Sequence, residues 1–315
     1  MLLVVLGHSG LDNDSFLKSW IYGFHMPLFM FVSGYFVQSP RPIKEELKKY
    51  FKTIIVPYLF FSLFLIPFYY GINKLSGDVI SDDLMSYTSL RLLMDDYYHC
   101  GPIWFLGALL IVKIFFNSLF ALLRNGGAFL DFLSLISVVL LIIANLFFCI
   151  HLLSADTALA LMPYYLAGFV CSKLLKNFNR KEILMFVIPG LIVYTLISIY
   201  HTGIDYDQMK FGNSIIIMYV EGILGCYAIT FLFSLLSGYK NDTLRDIGMN
   251  TITILGFHVI FIQVLRFVYK HFVSEIIPLW YLFAISVMSF ILCYMMSIII
   301  NKYCPVVIGG KKRNR

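Results

Sequence analysis

Charge is scarce in this sequence: Asp, Glu, Lys and Arg together make up 13% of its 315 residues, and only 10 prolines are spread through it. A soluble globular domain carries about 25% charged residues, so an ordinary water-soluble enzyme is excluded. Cysteine motifs are missing too. Cys100, Cys149, Cys171, Cys226, Cys293 and Cys304 follow no CxxC or zinc spacing and fall mostly within apolar segments, which fits packing roles rather than redox or metal chemistry. No GxSxG elbow, P-loop, HExxH or dinucleotide fingerprint occurs, so chemistry that depends on those loops is absent. Ser33, in Phe31-Val32-Ser33-Gly34-Tyr35, lacks the elbow glycines and reads as a small residue at a helix contact. Internal repeats and low-complexity segments are lacking as well.

What is abundant is apolar surface. Hydrophobic residues make up 60% and aromatic residues 17% of the chain, and the mean hydropathy is +0.83. With about 20 residues needed per membrane crossing, spans are expected near 19–38, 50–72, 102–123, 128–151, 157–175, 183–200, 213–237, 249–269 and 276–300. Ahead of them Met1-Leu2-Leu3-Val4-Val5-Leu6-Gly7-His8 is apolar but shorter than half a span. It lacks the basic start and the small-residue cleavage site of a signal peptide. The expectation is a single all-α polytopic membrane domain over 1–315, with ten helices of which the first is incomplete.

The net charge of +6 does not point to nucleic acid, because the basic residues sit in short loops between apolar runs, where they set membrane orientation. Alternate loops segregate them. One side collects 17 Lys and Arg, among them Lys44, Lys48, Lys49, Lys52, Arg180, Lys181, Arg245 and Lys302, against 5 on the other, namely Lys18, Lys74, Arg91, Lys210 and Lys270. The richer side is read as cytoplasmic, which puts both termini there. The outer side then holds the long loop 73–101, with Asp78, Asp82, Asp83, Asp95 and Asp96 and a leucine-rich stretch suited to an interfacial helix. The tail 302–315, ending Lys311-Lys312-Arg313-Asn314-Arg315, is a solvated cytoplasmic anchor near anionic lipid.

Ionisable groups inside spans are costly and mark a functional interior or a paired structural site. Here they are His8, His25, Lys113, Glu221, His258 and Arg266. Helical rise puts several of them in the outer half of the membrane, as a polar cavity there requires. Each has a structural alternative. His8 caps a helix end or does chemistry. His25 satisfies backbone freed by Pro27 or faces the same polar layer. Glu221 and Arg266 are most economically an interhelical ion pair, because an unpartnered buried charge is prohibitive. Lys113 is a cation for an anionic substrate or a side chain that snorkels. Tyr97-Tyr98-His99-Cys100-Gly101-Pro102-Ile103-Trp104-Phe105-Leu106 reads as an aromatic belt with Pro at a helix start.

These residues carry a family likeness. Leu3-Val4-Val5-Leu6-Gly7-His8, followed by Phe24-His25-Met26-Pro27-Leu28-Phe29-Met30-Phe31-Val32-Ser33-Gly34-Tyr35-Phe36, resembles the acyltransferase 3 family of membrane-bound acyltransferases, in particular its short, all-membrane, fucose O-acetylase-like branch. Gly101-Pro102-Ile103-Trp104-Phe105-Leu106, Pro163-Tyr164-Tyr165-Leu166-Ala167-Gly168 and Asn250-Thr251-Ile252-Thr253-Ile254-Leu255-Gly256-Phe257-His258 extend the likeness over essentially the whole chain. The resemblance implies a ten-helix domain that takes an acyl group, commonly acetyl from acetyl-CoA, and places it on a hydroxyl of a surface glycan or lipid-linked sugar, with no metal. His8 corresponds to the family's candidate catalytic histidine. The family pattern also has a basic residue eleven positions before that histidine, whereas this chain begins seven before it.

The mechanism expected from the likeness has neutral His8 as general base toward the acceptor hydroxyl or, as an alternative, as the carrier of a transient acyl group. His25 orients the acceptor or stabilises the oxyanion. Trp104 offers a sugar-stacking surface at the outer mouth, Lys113 a contact for coenzyme A phosphates, and Glu221, His258 and Arg266 further substrate contacts. The rival from another class is a transporter or flippase for a lipid-linked sugar, with Glu221, His258 and Arg266 as its relay.

Overall fold

The computed structural model describes residues 1–13, 15–37, 42–76, 101–123, 154–175, 178–235 and 241–310. The expected helix 128–151, most of the outer loop 73–101 and the end of the basic tail lie outside the described residues. Within them the apolar runs are helical, as they must be where no water can satisfy the backbone. The helices are α1 (Leu2–Gly7), α2 (Phe16–Tyr35), α3 (Ile43–Tyr50), α4 (Val56–Ser76), α5 (Trp104–Leu123), α6 (Ala155–Leu174), α7 (Arg180–Tyr200), α8 (Ile215–Leu235), α9 (Asp242–Met249), α10 (Thr251–Phe272) and α11 (Leu279–Tyr303). Seven segments among the described residues are long and apolar enough to cross a membrane. The protein is an all-α polytopic membrane bundle.

Three features depart from the expected spans. Helix α3 precedes α4 without a break, through a π-helical turn at Phe51–Ile55. Its Glu45 and Glu46 lie in the first turn and Lys48 and Lys49 in the last, the order that the helix dipole favours. Helix α9 is added ahead of α10, and Asn241 caps it by accepting from the Leu244 N–H at 3.1 Å. Between α7 and α8 the chain makes a small antiparallel hairpin, β1 (Ile204–Asp205) against β2 (Lys210–Phe211), with Ile204 opposite Phe211 and Asp205 opposite Lys210.

Helix α2 is the axis of the bundle, packed on α1, α6, α7 and α8. Its closest neighbour is α6, and the reason is glycine. A Cβ added at Gly34 would lie 1.9 Å from the Tyr165 carbonyl oxygen, and one added at Gly168 would lie 1.9 Å from that of Phe31. Lipid offers helices no hydrophobic gain from association, so close backbone packing at small residues holds them together. The outward faces are apolar: Met185, Phe186, Ile188 and Ile192 on α7 are exposed, while Tyr194 and Ser198 of the same helix are buried. Polar groups therefore collect inside. Cys171, Cys226 and Cys293 are buried free thiols.

The hairpin, the start of α2 and the ends of α1 and α10 share one end of the bundle. The other end holds α3, α9 and the closing 3-10 turn Pro305–Ile308, where Gly309 packs on the backbone of Thr53.

Candidate active site

Helix α1 stops at Gly7, and His8 is its C-cap residue, with φ −91° and ψ −1°. The chain turns away at once: Ser9 Oγ donates to the Leu6 carbonyl at 2.7 Å, and Gly10 adopts φ +102°, a conformation that glycine reaches without strain. Glycine is needed there for space as well. A Cβ on Gly10 would lie 2.7 Å from the guanidinium carbon of Arg266, so the α10 arginine lies flat against the turn that carries His8.

Three histidines converge at this point. The His8 ring centre lies 5.2 Å from that of His258 on α10 and 6.2 Å from that of His25 on α2. Tyr22, one turn before His25, completes the group at 4.7 Å from His25 and 6.0 Å from His8. His25 and His258 are buried, whereas His8 is partly accessible.

The helices orient the two buried rings. His25 Nδ1 faces the Ile21 carbonyl at 3.0 Å, and His258 Nδ1 faces the carbonyls of Ile254 and Leu255 at 2.9 and 3.0 Å. A carbonyl only accepts, so Nδ1 carries the proton in both rings and Nε2 is left as a lone-pair acceptor; this assignment follows from the hydrogen-bond network. His258 Nε2 is sealed from solvent and has no hydrogen-bond partner. The role expected for His25 as a reserve for backbone freed by Pro27 is not the one seen. Pro27 lacks the N–H that Gly23 would accept, and the His25 ring bonds Ile21 instead.

The expected Glu221–Arg266 pair does not form. Glu221 is fully buried on α8 and faces His201, with Oε2 at 2.6 Å from His201 Nδ1, while Oε1 accepts from Ser198 Oγ at 2.7 Å. His201 Nε2 lies 3.1 Å from the Phe211 carbonyl. Nε2–H therefore donates to that carbonyl, and a further proton is shared between Nδ1 and the carboxyl, which makes the buried pair self-compensating. The correction has a simple cause: α8 packs on α7, so a histidine at the end of α7 reaches Glu221, while Arg266 is engaged at Gly10. Sequence reasoning passed over His201, because it sits past the end of an apolar run, in a loop that no periodicity describes.

The remaining expected site residues lie elsewhere. Lys113 on α5 is within electrostatic reach of Lys49 and Glu46 of α3, at the end opposite the hairpin. Trp104 is buried in the main apolar core, and Ser154 Oγ donates to its carbonyl at 3.2 Å. It is not an open stacking platform. The structure thus brings together His8, His25 and His258, sets Arg266 beside them, and leaves Trp104, Lys113 and Glu221 in separate surroundings. Tyr22 belongs to the group and was missed, since a tyrosine in an aromatic-rich span carries no signal of its own. Among the described residues no group of His, Cys, Asp or Glu is placed to hold a metal ion.

No curated protein and no solved structure matches this chain. A family model does: the acyltransferase domain of the acyltransferase 3 family matches residues 1–298. The protein is a membrane acyltransferase that belongs to the acyltransferase 3 family.

Proposed function

We propose that this acyltransferase moves acetyl from acetyl-CoA to a hydroxyl of a cell-surface polysaccharide or lipid-linked sugar, as in the fucose O-acetylase-like branch, with His8 as general base. The observation that carries the reading is the placement of the accessible His8 against two buried histidines whose Nδ1 protons are held by their own helices. An imidazole that an entering hydroxyl can reach is what proton abstraction requires.

In the proposed reaction the acceptor hydroxyl gives its proton to neutral His8 while its oxygen attacks the thioester carbonyl. The carbon–sulfur bond breaks, the imidazolium protonates the departing thiolate, and the products are the sugar ester and free thiol. His25 and His258 present acceptor nitrogens, which suits them to orient a hydroxyl or the His8 ring and not to donate to an oxyanion. Arg266, packed against the Gly10 turn, is assigned to the developing negative charge.

The hairpin end is placed outside and the α3 end in the cytoplasm of a bacterial cell. Lys44, Lys48, Lys49, Lys52, Arg180, Lys181, Arg245 and Lys302 lie toward the α3 end, against Lys18, Lys210 and Lys270 toward the hairpin, which is the asymmetry of cytoplasmic and outer loops. Lys113 and Lys49 then suit the phosphates of a coenzyme A that approaches from the cytoplasm.

The test is transfer of labelled acetyl from acetyl-CoA into glycan or lipid-linked material by membranes carrying the full chain. At equal expression and equal thermal stability, His8→Ala is expected to lower the rate by about 100-fold to 10,000-fold. Equal transfer by His8→Ala and the unaltered chain would remove His8 from the mechanism.

A further inference from the structure

At the hairpin end a pocket of about 220 Å³ lies between the start of α2 and the β1–β2 hairpin, lined by Lys18, Ser19, Tyr22, Asp205, Gln208 and Lys210 among others. That volume is below the about 300–1,000 Å³ typical of pockets for drug-sized ligands, which suits one sugar unit rather than a longer segment. Tyr22 is common to pocket and site: it lines the pocket, and its ring stands 6.0 Å from His8 and 4.7 Å from His25. A ligand held there lies one aromatic ring away from the histidines.

The chemistry of the lining is specific. Asp205 is influenced by both Lys18 and Lys210; Lys18 Nζ also donates to Asn13 Oδ1 and sits 5.1 Å above the Tyr22 ring. The carboxylate is thus flanked by two ammonium groups, and Asp12 also acts on Lys18, so two carboxylates offset two ammonium charges. Such a set offers hydroxyl groups acceptors and donors side by side without the excess positive charge that captures phosphate or carboxylate. Ser19, only 3% exposed, lines the same pocket with a buried hydroxyl that has no hydrogen-bond partner. A buried hydroxyl left unpaired is costly, and a ligand hydroxyl would remove that cost.

We infer that this pocket is the acceptor subsite and that it binds a single neutral, hydroxyl-rich sugar unit, with Asp205, Lys18, Lys210 and Ser19 bonding its hydroxyls and the Tyr22 ring beneath it. The inference rests on the acyl-transfer reading for its function, but not for its test. The hairpin is held in place from below, since His201 bonds both Glu221 and the Phe211 carbonyl. The pocket wall is therefore tied to α7 and α8 and does not depend on the ligand for its shape.

Binding can be read without catalysis. Gln208 is exposed at the rim, and it is its backbone N–H that bonds Asp205, at 3.3 Å, so Gln208→Cys leaves that bond available. The full chain carrying Gln208→Cys, in lipid nanodiscs, is labelled with a maleimide in the presence of methyl glycosides of glucose, galactose, fucose, rhamnose and N-acetylglucosamine, the corresponding octyl glycosides, and methyl glucuronide. Expected is a saturable slowing of labelling of at least threefold by one or more neutral glycosides, with half-saturation raised tenfold or more by Asp205→Asn or Lys210→Met. Stronger protection by octyl than by methyl glycosides would assign the sugar to a lipid-linked source, and equal protection to a free or polymeric one. Protection by glucuronide alone, by no glycoside, or by glycosides unaffected by Asp205→Asn and Lys210→Met would overturn the inference. If protection is seen while His8→Ala transfers acetyl normally, the pocket stands and the His8 mechanism falls. If His8→Ala abolishes transfer and no glycoside protects, the reverse holds.

Discussion

Glu221 is the residue whose loss should be felt most in folding. Its carboxyl is fully buried and shared between His201 and Ser198, and removing one partner of a buried charged pair costs about 3–5 kcal/mol. Glu221→Gln is therefore expected to lower the melting temperature of the detergent-solubilised protein strongly, whereas Arg266→Ala, which touches neither Glu221 nor His201, leaves it nearly unchanged. Equal losses from the two variants would restore the Glu221–Arg266 pair read from the sequence. Asp205, at the hairpin and outside the spans, makes a second residue-scale prediction. Burial, partly offset by Lys18 and Lys210, raises its carboxyl above the ordinary value. A group whose folded-state pKa is raised contributes stability that is present at acid pH and lost as pH rises through that pKa. Acceptor binding runs the other way, because it uses the ionised form. The acceptor KM should thus worsen as pH falls through a value above the usual carboxylate range, and Asp205→Asn should flatten that limb. A limb that persists unchanged in Asp205→Asn belongs to another group. The histidines were legible in the sequence as polar groups inside apolar runs, and their grouping followed from depth. Their partners were not: the sequence offered Arg266 for Glu221, and only the packing of α8 on α7 brings His201 to it.

The α2–α6 contact shows what an element contributes. Gly34 and Gly168 meet the backbone of the facing helix, so even one added carbon has no space. Gly34→Ala or Gly168→Ala is expected to separate the helices at a cost of about 1–3 kcal/mol or more, read as a lower melting temperature and, because α2 also carries Tyr22 and His25, as a loss of transfer. Gly71, on α4, has open space around it; Gly71→Ala serves as the control and should change neither. A Gly34→Ala protein as stable as the parent would mean that the helices approach less closely than described. The long helices could be read from the sequence within a few residues, since a run of about 20 apolar residues has few other solutions in lipid. The short elements could not. Helix α9 and the β1–β2 hairpin are short and lie between spans, so neither presents an apolar run of the length that marks a crossing. Their traces were local: Asn241 before Asp242 as a cap, and glycines at 203 and 212, both at positive φ, flanking the hairpin.

At the scale of the whole molecule, the two ends of the bundle differ in chemistry, and the site lies toward one of them. The pocket, Tyr22 and His8 belong to the hairpin end, while Lys113, Lys49 and α3 belong to the other. A donor and an acceptor that arrive from opposite sides would therefore meet near α2, the helix packed on α1, α6, α7 and α8. Family membership favours this two-substrate arrangement over the transporter reading, which asks the same polar groups to pass a whole molecule across. The arrangement fixes a topology that can be measured. With the exposed Cys304 replaced by Ser to lower the background, single cysteines at Gln208 on the hairpin and at Leu244 on α9, both exposed, are treated in intact cells with a membrane-impermeant maleimide. Gln208→Cys should label from outside, and Leu244→Cys only after the membrane is permeabilised. The opposite result would turn the molecule over, place the pocket in the cytoplasm beside soluble acetyl-CoA, and make the acceptor a cytoplasmic sugar rather than a surface one.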